Sequence, residues 1–104
     1  MSPWVLVIVA GLLETGWAIG LKYSEGFTRP LASGLTILGA LASFWILSLA
    51  MKELPVGTAY AVWVGIGAVG TAIAAVILFS EPVNVLRVAG IMLILGGIVA
   101  LKLA

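Results

Sequence analysis

Four long runs of apolar residues, separated by three short polar segments, make up most of the sequence. The runs cover about residues 4–21, 31–51, 56–79 and 85–101. Each run is about 17–24 residues long, which suits a helix that crosses roughly 30 Å of hydrocarbon. Strands with alternating polar and apolar residues, the signature of a membrane barrel, are absent. The pattern predicts an all-α membrane protein with four transmembrane helices in a single domain, residues 1–104.

The three connecting segments contain residues that end helices. The first contains Gly26 and Pro30, the second ends in Pro55, and the third contains Pro82. A proline cannot continue the helix that precedes it. None of the segments is long enough to hold a second domain, so we expect successive helices to form hairpins.

The composition excludes most soluble functions. Hydrophobic residues make up 63% and charged residues 9%, against roughly 25% charged residues in an ordinary soluble domain. The absence of Cys and His leaves no disulfide, no zinc site of the usual ligands and no Cys–His nucleophile. A net charge of +1 does not favour nucleic acid as a partner. We therefore expect an integral protein of the lipid bilayer with no metal, no cofactor and no nucleic-acid partner.

Basic residues are divided almost evenly between the two ends of the predicted spans. One side holds Lys22, Arg29 and Arg87, and the other holds Lys52, Lys102 and the N-terminal amine. Orientation is set by an excess of Lys and Arg on the cytoplasmic side, and three against two is hardly an excess. We predict insertion in both orientations, which would allow the chain to pair with an inverted copy of itself. A weakly biased but fixed topology is the alternative.

Glu14 is the one charged residue in the middle of a span. It lies about ten residues, or roughly 15 Å, into the first run. A charged side chain at that depth costs at least about 2.5–3.5 kcal/mol and marks a functional site by default. No basic residue lies at the centre of any span to pair with it. The alternative is a structural glutamate that bonds to a hydroxyl on a neighbouring helix.

Hydrocarbon disfavours the charged form of a carboxyl group. We therefore expect Glu14 to hold either a proton or a cation, which is the chemistry of a proton-coupled antiporter. One turn later, Trp17 offers an aromatic face that attracts cations by roughly 0.5–2 kcal/mol. Small residues on the same helical face leave room beside the carboxylate.

Other spans supply candidate partners for this carboxylate. Ser43 places a hydroxyl in the middle of the second span, and we expect it to orient Glu14. Tyr60 and Trp63 share one face of the third span with Gly67. The alternatives are interfacial anchoring for the aromatic residues and a hydroxyl bonded within its own helix for Ser43.

Two glycine patterns suggest further roles. Gly65 and Gly67 lie in a glycine-rich segment of the third span, which we interpret as a hinge; simple packing of small residues is the alternative. Gly90 and Gly97, seven residues apart on one face of the fourth span, predict a dimer interface. Two copies would supply eight helices to enclose a pathway, and an antiparallel pair would have the inverted-repeat symmetry of transporters.

Several stretches of the chain match a known family. They are Leu13–Glu14 with Trp17, Leu21–Arg29, Ala42–Phe44, Pro55–Trp63 and Gly65–Gly67. On these stretches the chain resembles the small multidrug resistance family from end to end. The resemblance implies an antiparallel homodimer in the bacterial inner membrane and proton-coupled export. It also implies that Glu14 is the shared proton and substrate site, with Trp17, Ser43, Tyr60 and Trp63 as substrate-binding residues.

Within that family, Trp17, residues 63–70 and residues 100–102 resemble the guanidinium-exporting branch. The drug-exporting branch typically has a small residue in place of Trp17, and Val64 stands where a hydroxyl residue is often found. Guanidinium is flat and presents paired N–H donors that match a carboxylate. We expect a proton-coupled antiporter that exports guanidinium and small guanidinyl cations.

Two alternatives stay open. The chain could be a polyspecific exporter of quaternary ammonium and aromatic cations, or a non-transporting membrane subunit of a hetero-oligomer. An enzyme is not expected, because a lone carboxylate without a second acid, nucleophile or metal ligand supports no recognisable reaction.

Overall fold

A computed structural model describes residues 2–104 and contains four α-helices. They are α1 (Pro3–Ser24), α2 (Pro30–Ala50), α3 (Val56–Phe79) and α4 (Val85–Leu103). Each is long and apolar enough to cross a membrane, with a length of roughly 29–36 Å at 1.5 Å per residue. No strand occurs in the described residues. The predicted all-α architecture with four membrane-spanning helices is confirmed.

Side chains and prolines define where the helices begin. The Ser2 side chain accepts a hydrogen bond from the backbone N–H of Trp4 (3.2 Å), and that of Asn84 accepts one from Arg87 N (2.9 Å). Each satisfies a backbone donor that has no partner within the helix. Helix α2 begins at Pro30, at a position where no backbone donor is needed.

Left-handed residues end two of the helices. Glu25 (φ 48°) follows α1, and Ser80 (φ 54°) follows α3. After Glu25 the chain continues through Gly26 (φ 71°) and Phe27 (φ 65°), so three consecutive residues adopt the conformation that reverses a chain most sharply. These turns bring α2 back along α1 and α4 back along α3.

Helix α1 occupies the centre of the arrangement. It packs along both α2 and α3, whereas α4 lies against α3. The buried core is formed by side chains of the first three helices: Val7, Ala10, Leu47, Ala50, Ala59, Val62 and Trp63. Helix α4 has no buried residue, and most other large apolar side chains are exposed. In a membrane protein such surfaces face lipid or another subunit.

Two glycines allow close contacts of α3. A Cβ atom on Gly11 would lie 2.7 Å from Cβ of Ile66, so the missing side chain lets α1 approach α3 closely. A Cβ atom on Gly65 would lie 2.9 Å from Cδ1 of Ile98 on α4. Helix α3 continues unbroken past Gly65 and Gly67. In this structure Gly65 allows α4 to pack closely against α3. A hinge at Gly65 and Gly67 stays a prediction.

The two glycines of the predicted dimer interface lie on the free side of α4. No atom lies within 4 Å of the position that a Cβ atom would take on Gly90 or Gly97. This face is open to lipid or to a second chain, and its role as an interface stays a prediction.

Candidate functional site

The Glu14 side chain lies directly against the backbone of Gly67. A Cβ atom on Gly67 would overlap Oε1 of Glu14 and would lie 2.7 Å from its Cγ atom. The next residue of α1, Thr15, points its hydroxyl to the carbonyl oxygens of Gly11 and Gly67, each at 3.4 Å. Consecutive residues of α1 therefore contact Gly67, which fixes the height of the carboxylate along α3.

A cavity of about 420 Å³ opens beside this carboxylate, between α1, α2 and α3. Its lining consists of Glu14, Trp17, Phe44, Leu47, Ser48, Met51, Tyr60, Trp63 and Val64. Glu14 is the one charged residue in this part of the described chain. A carboxylate in a cavity lined mostly by apolar side chains attracts a cation, because its charge is less screened there than in bulk water.

Aromatic rings form one wall of the cavity. Trp17 and Phe44 meet edge to face with ring centroids 6.1 Å apart, and Phe44 meets Trp63 in the same way at 5.6 Å. Tyr60 continues the series, 5.5 Å from Trp63. Such tilted contacts are the favoured geometry of aromatic pairs. The structure thus brings Trp17, Tyr60 and Trp63 to the same cavity as Glu14.

Ser43 lies behind this wall rather than in the cavity. Its buried hydroxyl donates to the carbonyl oxygen of Ala10 (2.7 Å) and accepts from Nε1 of Trp63 (2.9 Å). The expected pairing of Ser43 with Glu14 is wrong for this structure, because the single hydroxyl proton already bonds to α1. Ser43 instead fixes the orientation of the Trp63 ring.

Five residues that line the cavity were not predicted from the sequence. Four of them form a stripe on α2 at helical spacing, Phe44, Leu47, Ser48 and Met51, and the fifth is Val64. The stripe begins one residue after Ser43, and its spacing of three and four residues is the available signal. An all-apolar helix gives little contrast between faces, so this signal does not distinguish a cavity from lipid.

Two further observations bear on what the site can bind. The buried indole N–H of Trp17 has no hydrogen-bond partner within residues 2–104, and buried donors usually have one. Within residues 2–104, no three His, Cys, Asp or Glu side chains lie close enough together to hold a metal ion. The cavity is open on one side, where 54% of Tyr60 is exposed. Its chemistry suits an organic cation small enough to reach Glu14.

The four apolar helices define a class, the multi-pass membrane proteins. The family model described as Small Multidrug Resistance protein matches residues 2–94. The chain therefore belongs to the small multidrug resistance family.

Individual relatives agree with this assignment. A Yersinia pestis protein named "Guanidinium exporter" is 54% identical over 101 residues, which are 97% of each chain. Proteins with the same name from Proteus vulgaris and Escherichia coli K12 are 54% and 52% identical over 97% of this chain, and the matches cover 97% and 96% of their own lengths. The chain is a multi-pass transport protein of the bacterial inner membrane.

Proposed function

We propose that this protein exports guanidinium ion across the bacterial inner membrane in exchange for protons. The observation that carries the proposal is the Glu14 carboxylate, which is the charged group of an aromatic-walled cavity inside the membrane spans. Relatives that are 52–54% identical over nearly their full length bear the name "Guanidinium exporter", which supports the choice of substrate.

The residues that line the cavity suit a flat cation with hydrogen-bond donors. Guanidinium can present two parallel N–H groups to the two oxygens of Glu14. The faces of Trp17, Tyr60 and Trp63 can surround such an ion and attract it through cation–π contacts. A quaternary ammonium ion has no donor for the carboxylate, and the large Trp17 ring leaves less room for its substituents.

Exchange with protons follows from the position of Glu14 in hydrocarbon. An uncompensated carboxylate is unfavourable there, so the side chain binds either a proton or a cation. Guanidinium and the proton compete for the same oxygens, and each is released when the other binds. This mutual exclusion couples export of the cation to entry of protons.

We further propose that the working unit is an antiparallel homodimer. The cavity is open on one side, α4 has no buried residue, and the face with Gly90 and Gly97 is free. Two inverted copies that exchange conformations would open the site to each side of the membrane in turn.

The test is transport by the purified full-length protein in sealed vesicles that contain a pH-sensitive dye. A guanidinium gradient should drive proton movement in the opposite direction, and Glu14→Gln should abolish it. The matched control is Glu53→Gln, which removes an exposed carboxylate in the loop between α2 and α3 and should transport normally. Proton-coupled guanidinium transport by Glu14→Gln would refute the assignment of the site.

Two further measurements separate the proposal from its alternatives. Guanidinium binding should weaken as pH falls, because protonated Glu14 cannot pair with the cation; binding that does not depend on pH would refute the competition. Tetraethylammonium should drive much less proton movement than guanidinium in the same vesicles. The opposite preference would indicate a polyspecific drug exporter, and no transport of either cation would favour a non-transporting subunit.

A further inference from the structure

A second groove leads from Glu14 to one end of the helices. It has a volume of about 490 Å³ and follows one face of α3 through Gly67, Thr71 and Ala75. Its far end is formed by Glu81, in the segment between α3 and α4. From Gly67 to Glu81 the chain advances fourteen positions, or roughly 20 Å of helix. Glu14 and Glu81 are the charged residues of this groove within the described chain.

The ends of two helices fix the position of Glu81. Ser80 ends α3 in the left-handed conformation (φ 54°), and the backbone N–H of Glu81 donates to the carbonyl oxygen of Ala75 (3.4 Å). Arg87 lies in the first turn of α4, and its Nη1 atom donates to Oε1 of Glu81 (3.2 Å). The relative exposures of these two side chains are 47% for Arg87 and 43% for Glu81.

The head of the Arg87 side chain is itself a guanidinium group. The structure therefore contains a guanidinium group bound to the carboxylate at the mouth of the groove. Ion pairs that are exposed to this degree contribute little net stability, so breaking this pair costs the fold little. The other basic groups at this end of the helices are engaged elsewhere: Arg29 with Glu25 (3.2 Å) and Lys22 over the Phe79 ring (5.6 Å).

We propose that Glu81 is a surface binding site for guanidinium, at which the free ion displaces the Arg87 side chain before it enters the groove toward Glu14. The inference rests on the proposed function, since it concerns the same substrate. A carboxylate at the mouth raises the local concentration of the cation, and the Arg87 side chain neutralises this carboxylate when the site is empty. Thr71 supplies a hydroxyl along the groove between the two carboxylates.

Substitutions of the two members of the ion pair are predicted to shift the KM for guanidinium in opposite directions. A purely structural ion pair would not give this result. In vesicles with the full-length protein, Glu81→Gln should raise the KM for guanidinium by about two- to fivefold, the scale of one exposed charge contact. Arg87→Gln removes the competitor and should lower that KM. Both variants should keep the wild-type turnover at saturating guanidinium, because Glu14 is intact.

Glu25→Gln and Arg29→Gln are the matched controls, because this pair has the same 3.2 Å separation at the same end of the helices and does not line the groove. Neither control should change the KM. The proposal is overturned if Glu81→Gln and Arg87→Gln shift the KM in the same direction, as a purely structural ion pair would. It is also overturned if they leave the KM unchanged, or if the controls reproduce their effects.

Two outcomes distinguish this inference from the proposed function. If the wild-type protein transports guanidinium and the Glu81 variant has the wild-type KM, only the surface site is wrong. If the wild-type protein does not transport guanidinium, both proposals fail. Should Arg87→Gln not fold, the comparison of Glu81→Gln with Glu25→Gln decides by itself.

Discussion

Replacing Gly67 with alanine is expected to displace the Glu14 carboxylate while leaving α3 intact. The new Cβ atom would overlap Oε1 of Glu14 and would lie 2.7 Å from its Cγ atom, whereas ordinary contacts begin at 3.4 Å. Cγ must therefore withdraw by about 0.7 Å and the carboxylate oxygen by more than that, and the side chain can do so because it is flexible. Alanine also favours a helix over glycine by about 0.5–1 kcal/mol, so the helix itself should not weaken.

A shift of this size matters because binding requires both oxygens of Glu14 to face the cation. Misplacement by about 1 Å can reduce a reaction rate by roughly a hundredfold. We expect Gly67→Ala to weaken guanidinium binding by about ten- to a hundredfold, which corresponds to about 1.4–2.7 kcal/mol. The matched control is Gly65→Ala, whose Cβ atom would lie 2.9–3.3 Å from side-chain atoms of Ile98 and Ile94 on α4, with no atom of Glu14 among its nearest neighbours.

The assay measures equilibrium binding of guanidinium to the detergent-solubilised protein by titration calorimetry. The thermal unfolding temperature of each variant is measured in parallel. The contact with Glu14 predicts weakened binding at an unchanged unfolding temperature. A hinge at Gly67 predicts normal binding with slowed exchange across the membrane. Wild-type affinity in Gly67→Ala would refute the reasoning that this glycine holds the carboxylate in place, and slow transport in the same variant would then support the hinge interpretation.

Two further predictions concern packing. Gly11→Ala should lower the unfolding temperature, because overpacking at a helix contact costs about 1–3 kcal/mol; Gly16→Ala on the same helix, with no atom within 4 Å, should be harmless, and equal unfolding temperatures would contradict the close contact with α3. Ser43→Ala should destabilise the protein by about 0.6–2 kcal/mol and raise the KM for guanidinium, because it removes the acceptor that orients Trp63. Thr36→Val, which removes a buried hydroxyl that bonds within the same helix (2.7 Å), serves as control, and a KM unaffected by Ser43→Ala would show that the Trp63 ring needs no such support.

The residues of the candidate site could be selected from sequence because their chemistry is unusual for their location. Glu14 is conspicuous in an apolar span at any orientation of the helix, since burying its charge is unfavourable wherever it faces. Trp17, Tyr60 and Trp63 are large aromatic residues at helical spacing, and they line the cavity with Glu14. Phe44 and Met51 also line it, but apolar residues on an apolar helix carry no such contrast.

The sequence by itself determined the membrane class, the four helices and the isolated carboxylate, because hydrophobicity and charge act on each segment separately. Only the tertiary structure decided that Ser43 bonds to Ala10 and Trp63 instead of Glu14, and that Gly67 lies under the carboxylate. It also decided that Glu81 pairs with Arg87 at the end of the same groove. These contacts depend on how far each helix is rotated and shifted against its neighbours, and packing between helices sets that register rather than the pattern within one helix.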